Sequence, residues 1–174
     1  MLHRARHQPS VLHIGIDASR PGLERASLAA LRKSARGGAP NALFVLAAVE
    51  GLPHELDGLA GHISVLFPWG SLLRAVALPD PCVLAGIRRL ARPGATLEAV
   101  FSYDGDRESA EVARLGLPPV STSRLAAAYA ESGFGLTALD TLSAADLKAI
   151  PSTWAHRLAH GRPRPVWRLS ATAR

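Results

Sequence analysis

Cysteine is nearly absent. Cys82 stands alone in 174 residues, so neither an internal disulfide nor a cysteine-based metal site can form, and a reducing cytoplasm is the expected compartment. Long apolar runs are missing too. No stretch approaches the roughly 20 residues of a membrane-spanning helix, and Met1 to Ser10 has no apolar segment of the secretory type. There is no internal repeat and no low-complexity tract. The pattern G-x-G-x-x-G does not occur, and Gly133-Phe134-Gly135 reads as a turn. Lysine is scarce. Of 20 cations all but Lys33 and Lys148 are arginine, which favours forked phosphate contacts over point charges, although a codon bias would leave the same excess.

What is present suits one folded domain over residues 1–174. Hydrophobic residues make up 48% and charged residues 20%, enough apolar surface for one core. The net charge of +6 is unevenly spread. Residues 1–36 carry a balance of +5, residues 37–153 of −4, and residues 154–174 of +5, the last from Arg157, Arg162, Arg164, Arg168 and Arg174. Two basic ends flanking an acidic middle suit a nucleic-acid face if they meet in space, or solvated tails if they do not.

Short apolar segments alternate with helical ones. Val11–Asp17, Ala42–Ala48, His62–Pro68 and Ala95–Tyr103 read as buried strands. Pro21 opens a helix expected to run to about Arg36, with Leu23, Leu28 and Leu31 towards the core and Arg25, Arg32 and Arg36 on another face beside Lys33. Trp69–Ala77 reads as a loop before a helix over 81–91, and Arg92-Pro93-Gly94 as a tight turn. Helices are expected near 108–115 and 123–132, and a strand near 136–142. Ser143 and Ser152 then cap two further helices before a last strand at Pro165–Ala171. This order is that of an α/β domain with a mainly parallel sheet and helices on both faces.

Four stretches carry a resemblance. They are Ile14-Gly15-Ile16-Asp17-Ala18-Ser19; Asn41-Ala42-Leu43-Phe44-Val45 with Ala47-Ala48-Val49-Glu50-Gly51-Leu52-Pro53; Phe67-Pro68-Trp69-Gly70-Ser71-Leu72-Leu73-Arg74; and Trp154 through Arg162-Pro163-Arg164-Pro165. Together they resemble the kanamycin–apramycin resistance methyltransferases, which act on N1 of the decoding-site adenine of 16S ribosomal RNA. The resemblance implies a Rossmann-like class I methyltransferase fold, S-adenosylmethionine as cofactor and the 30S ribosomal subunit as partner. That family opens with a strand and an acidic, glycine-rich loop. This sequence begins after that loop, so the expected sheet lacks its first strand, and Met1 to Pro9 reads as the end of the following helix.

Roles follow from the resemblance. Asp17 accepts the ribose hydroxyls of the cofactor, or else caps the next helix. Val49 and Glu50 lie by its adenine, and Ser71 lines its pocket. N1 of neutral adenine has its own lone pair and needs no general base, so catalysis reduces to flipping and holding the base. Trp69 and Trp154 are the candidate clamp, core packing being the alternative, and Trp167 is expected in the core. Arg157, Arg162 and Arg164, with Arg25, Arg32, Lys33 and Arg36, are candidate RNA contacts or a solvated basic face. The pairs His3/His7 and His156/His160 have metal-compatible spacing but no third ligand, so no metal is expected, nor any membrane partner, and the chain is expected to be monomeric. Two other readings stand beside this one: a non-catalytic RNA-binding remnant, and a small-molecule methyltransferase.

Overall fold

A computed structural model describes all residues from Met1 to Arg174. The chain divides into two compact units, Met1–Pro53 and His54–Arg174. The α/β character read from the sequence holds in both.

In the first unit a short helix α1 (Leu2–His7) precedes strand β1 (His13–Asp17), helix α2 (Arg20–Ala30) and strand β2 (Ala42–Leu46). The strands pair in parallel, Asp17 opposite Leu46, with α2 as the crossover. Pro21 starts α2 where its missing N–H costs nothing. The helix ends earlier than the sequence suggests. It stops at Ala30 and is followed by a 3-10 turn at Ser34–Arg36. The reason is the return of the chain. Ala39 donates its N–H to Ala30, and a Cβ at Gly38 would lie 1.6 Å from the Arg32 carbonyl oxygen. Two expectations fall with that early stop. Leu28 and Leu31 are 67% and 79% exposed rather than in the core. Arg25 lies on α2, Arg32 and Lys33 in the loop after it, and Arg36 in the 3-10 turn, so they do not share one helix face. Asn41 has a part that went unread: its side-chain nitrogen donates to the carbonyls of Ala5, Gln8 and Val11 at 3.0, 3.0 and 2.7 Å, tying α1 to the entrance of β2.

The second unit carries strand β3 (Ala60–Leu66), helices α3 (Gly70–Ala77) and α4 (Pro81–Leu90), and strand β4 (Ala91–Phe101). Helices α5 (Ser109–Leu115) and α6 (Thr122–Glu131), strand β5 (Phe134–Thr141), helices α7 (Ala144–Ala149) and α8 (Thr153–His160), and strand β6 (Trp167–Ala173) follow. Its sheet runs β3-β4-β6-β5, with β3 and β4 parallel and β6 antiparallel to both its neighbours. The largest buried side chains, Tyr129, Phe101, Phe134, Leu84, Leu125 and Leu169, form its core.

Two local readings are corrected here. Trp69–Ala77 is not a loop: α3 starts at Gly70 and buries Leu73, Ala75, Val76 and Ala77. Gly70-Ser71 at its head hid an apolar helix whose face is decided by packing. Arg92-Pro93-Gly94 is not a turn between elements but a bulge inside β4, where the pairing steps from Ala60–Ala91 to His62–Thr96 and Gly94 takes φ +76°. The caps hold as read. Ser143 and Asp146 form a reciprocal capping box on α7, and Ser152 accepts the Ala155 N–H on α8. Trp167, expected in the core, is half-buried and packs with tilted rings against Phe101 and Tyr103 at ring distances of 5.6 and 5.2 Å. No single helix is long and apolar enough to cross a membrane.

Candidate functional site

Parallel strands align their carboxyl ends, and ligands bind beyond those ends. In the first unit that edge holds Asp17 and, three residues past the end of β2, the 3-10 turn Val49–Gly51. Asp17 is exposed. Its Oδ1 accepts the Ser19 N–H at 2.8 Å in a tight turn, so the carboxylate steadies the entry to α2 with one oxygen. Glu50 is exposed and Val49 half-buried. These residues fit the adenosine end of S-adenosylmethionine: a carboxylate for a diol, and a short turn at the next strand end. Two shallow apolar clefts of about 460 and 470 Å³ lie elsewhere on this unit, between α2 and β2, and none of the candidate residues lines them.

In the second unit the end of β3 is shaped by its backbone. Phe67 takes φ +50°, rare for a residue with a side chain, while its N–H is held by the Val100 carbonyl at 2.7 Å. Pro68 is buried, Trp69 stands at the N-cap of α3, and Ser71 is exposed in its first turn. Trp69 is 52% exposed, which sets it apart from core aromatics such as Phe101 at 0%. Its ring meets that of Trp154, 85 positions later, at a centroid distance of 6.4 Å with planes 74° apart. Trp154 is half-buried in the first turn of α8. One apolar cluster supports both tryptophan-bearing segments: Val100, Leu147, Ile150, Ala155 and Val166, with Phe67 and Leu158 packed on it. The two tryptophans singled out in the sequence are thus neighbours, and neither is in the core.

The arginines divide. Arg157 and Arg162 are exposed and enter no ion pair. Arg164 is different. Its side chain is only 14% accessible and is spent inside the protein on Glu108 and Ser102. The guanidinium that the sequence offers as an RNA contact is held inside the protein in this structure through three of its N–H groups. Arg25, Arg32, Lys33 and Arg36 are all exposed on the first unit. The histidine pairs turn inwards to their own helices: His7 Nδ1 lies 2.8 Å from the His3 carbonyl, and His160 Nδ1 2.8 Å from that of His156. No group of three or more His, Cys, Asp or Glu side chains is gathered to hold a metal.

Comparison with known proteins follows the same lines. Residues 1–173 match the family model described as NpmA: 16S rRNA (adenine(1408)-N(1))-methyltransferase. A 16S rRNA (adenine(1408)-N(1))-methyltransferase of Escherichia coli is 37% identical over 171 residues, 95% of this chain and 78% of that protein. Among solved structures, the aminoglycoside resistance methyltransferase NpmB1 superimposes with a TM-score of 0.84 at 44% identity, over 99% of this chain and 81% of the other. A mutant of the 16S rRNA (adenine(1408)-N(1))-methyltransferase of Catenulisporales acidiphilia, solved with cosubstrate SAM, superimposes with a TM-score of 0.86 at 34% identity, over 99% and 79%.

Proposed function

Since the chain belongs to the 16S rRNA (adenine(1408)-N(1))-methyltransferase family, we propose that Trp69 and Trp154 capture a flipped adenine of 16S rRNA between their rings. The protein is an S-adenosylmethionine-dependent rRNA methyltransferase of the aminoglycoside-resistance type. The finer assignments are our own reading. The substrate is the assembled 30S subunit, met by one copy of the chain in the cytoplasm, without a metal. Asp17, Val49 and Glu50 hold the adenosine end of the cofactor, and Ser71 contacts it. Arg157 and Arg162, with Arg25, Arg32, Lys33 and Arg36, contact rRNA phosphates.

The observation that carries this reading is the meeting of Trp69 and Trp154. When bound, S-adenosylmethionine supplies a methyl group on a sulfonium, an electrophile. N1 of adenine brings its own lone pair, so no side chain of this protein has to move a proton. The chain's work is positional. Two aromatic faces about 7 Å apart sandwich a flat base at van der Waals contact. At 6.4 Å the tryptophans already stand at that spacing, but edge to face. A base entering between them turns one ring towards parallel. Stacking also favours the positive charge that the ring acquires on methylation. Exposed, unpaired Arg157 and Arg162 on and just beyond α8 leave their guanidinium groups open to the phosphates beside the flipped base.

The test is primer extension on 30S subunits incubated with the protein and S-adenosylmethionine. A stop one nucleotide before the decoding-site adenine is expected. Binding to 30S subunits with no such stop would replace the enzyme by an RNA-binding remnant.

A further inference from the structure

Charge in the first unit is sorted by position. Its three acids are Asp17, Glu24 and Glu50. Asp17 and Glu50 lie at or beyond the carboxyl ends of β1 and β2, and Glu24 is paired with Arg20 at 3.8 Å. Residues 1–16 and 25–49 contain no acid at all. The fold joins these two segments at the amino ends of the strands. There the Asn41 side chain donates to the carbonyls of Ala5, Gln8 and Val11, and Ala5 of α1 is fully buried. Arg6, the next residue of α1, lies over the 3-10 turn: a Cβ at Gly37 would stand 3.5 Å from its Nη2. Gly37 directly follows Arg36. Arg6, Arg32, Lys33 and Arg36 are all exposed, and none of them enters an ion pair.

We propose that Arg6 is a further RNA-binding residue, and that Asn41, by holding α1 against the segment 32–38, sets its guanidinium beside Arg36 on one phosphate-binding surface. This rests on the reading that Arg32, Lys33 and Arg36 contact rRNA phosphates. Gathering four unpaired cations on segments without an acid costs the fold self-repulsion. A nucleic-acid backbone supplies the missing counter-charges one after another, and each phosphate neutralised releases counterions. The planar fork of arginine fits such oxygens. The place of Arg6 is not set by its own helix, because α1 has only six residues and so short a helix does not hold itself in water. It is set by the burial of Ala5 and by the Asn41 clamp. The surface also lies at the end of β1 opposite Asp17, and a strand of five residues separates the two by roughly 13 Å. A phosphate bound beside Arg6 therefore leaves the candidate cofactor end of this unit open.

The test is binding of the full chain to 30S subunits across a salt series from about 50 to 200 mM, with a thermal melt of each protein. Arg6→Ala is expected to weaken binding and to reduce the slope of log affinity against log salt by about one, with an unchanged melt. Arg6→Lys keeps the charge and should keep the slope. Arg20→Ala removes an arginine already paired with Glu24 and should also keep it. Asn41→Ala releases α1 and should reduce the slope as Arg6→Ala does, and the two changes combined should reduce it no further. A parent-like slope for Arg6→Ala overturns the proposal. So does an equal fall for Arg20→Ala, which would mark an effect of net charge alone, and so does weaker binding at an unchanged slope, which would mark a contact other than phosphate. Should Asn41→Ala melt much earlier, the Arg6 variants decide alone. If Arg36→Ala reduces the slope and Arg6→Ala does not, only this proposal falls. If the parent shows no salt-dependent binding to 30S subunits, the rRNA reading of the whole surface falls, and this proposal with it.

Discussion

Replacing Trp69 by alanine separates a base clamp from a packing residue. Truncating a fully buried tryptophan costs about 3–5 kcal/mol. Trp69 is 52% exposed, so roughly half of that, about 2 kcal/mol, is the expected loss of stability. For a chain of 174 residues each kcal/mol lowers the melting temperature by about 2–4 °C, which gives a drop of roughly 4–8 °C. Domains of this kind start from about 5–15 kcal/mol. At least about 3 kcal/mol therefore remains, and under about 1% of the variant is unfolded. Folding cannot then account for any large loss of activity. Base capture can. A base stacked on an aromatic face gains about 1–3 kcal/mol, so losing the Trp69 face lowers capture by about one to two powers of ten. Trp69→Phe, with a smaller face, should fall between. The assay is primer extension on 30S subunits beside a thermal melt of the same preparation. Near-normal methylation by a well-folded Trp69→Ala protein would refute the clamp. A melting point lowered far beyond 8 °C, with normal activity per folded molecule, would return Trp69 to a packing role.

Arg157→Ala and Arg162→Ala should each weaken 30S binding and reduce the slope of log affinity against log salt by about one, since each removes one phosphate contact; equal slopes in parent and variants would mark both arginines as solvated. Asp17→Asn keeps an acceptor for the Ser19 N–H but loses the charge that suits a ribose diol, so calorimetry should show weaker S-adenosylmethionine binding with an unchanged melt. The Asp146 carboxyl is held below the ordinary carboxylate range, first by the Ser143 hydroxyl and then by the Ser143 N–H. A depressed folded-state pKa adds stability above the unfolded-state value and loses it as pH falls through the folded one. Ser143→Ala should raise the Asp146 pKa in an NMR titration. It should also lower stability at neutral pH, by a margin that narrows in acid as the carboxyl protonates in both proteins.

Much of this protein is local and therefore legible in its sequence. The strands at Val11, Ala42, His62 and Ala95 appear within a few residues of their expected places, because each is an apolar run bounded by turn residues. The caps at Ser143 and Ser152 are read correctly because each hydroxyl bonds an amide only three residues away. The Phe67-Pro68-Trp69-Gly70-Ser71 stretch marks the end of β3 on the page of letters alone.

Other features need the third dimension. The break of α2 at Ala30 depends on Gly38 lying against the Arg32 carbonyl, and the exposure of Leu28 and Leu31 on what packs there, neither of which periodicity can supply. The apolar face of α3 shows itself only once buried. The antiparallel insertion of β6 between β4 and β5 is a pairing between distant segments with the same apolar pattern. Arg164 looks like its exposed neighbours Arg157 and Arg162 until Glu108, 56 residues earlier, takes its fork. The meeting of Trp69 and Trp154 is of the same kind. Sequence determines what a residue can do with its near neighbours; which distant residue it meets is decided by how the whole chain buries its apolar surface, and in this protein that decision brought the two tryptophans together.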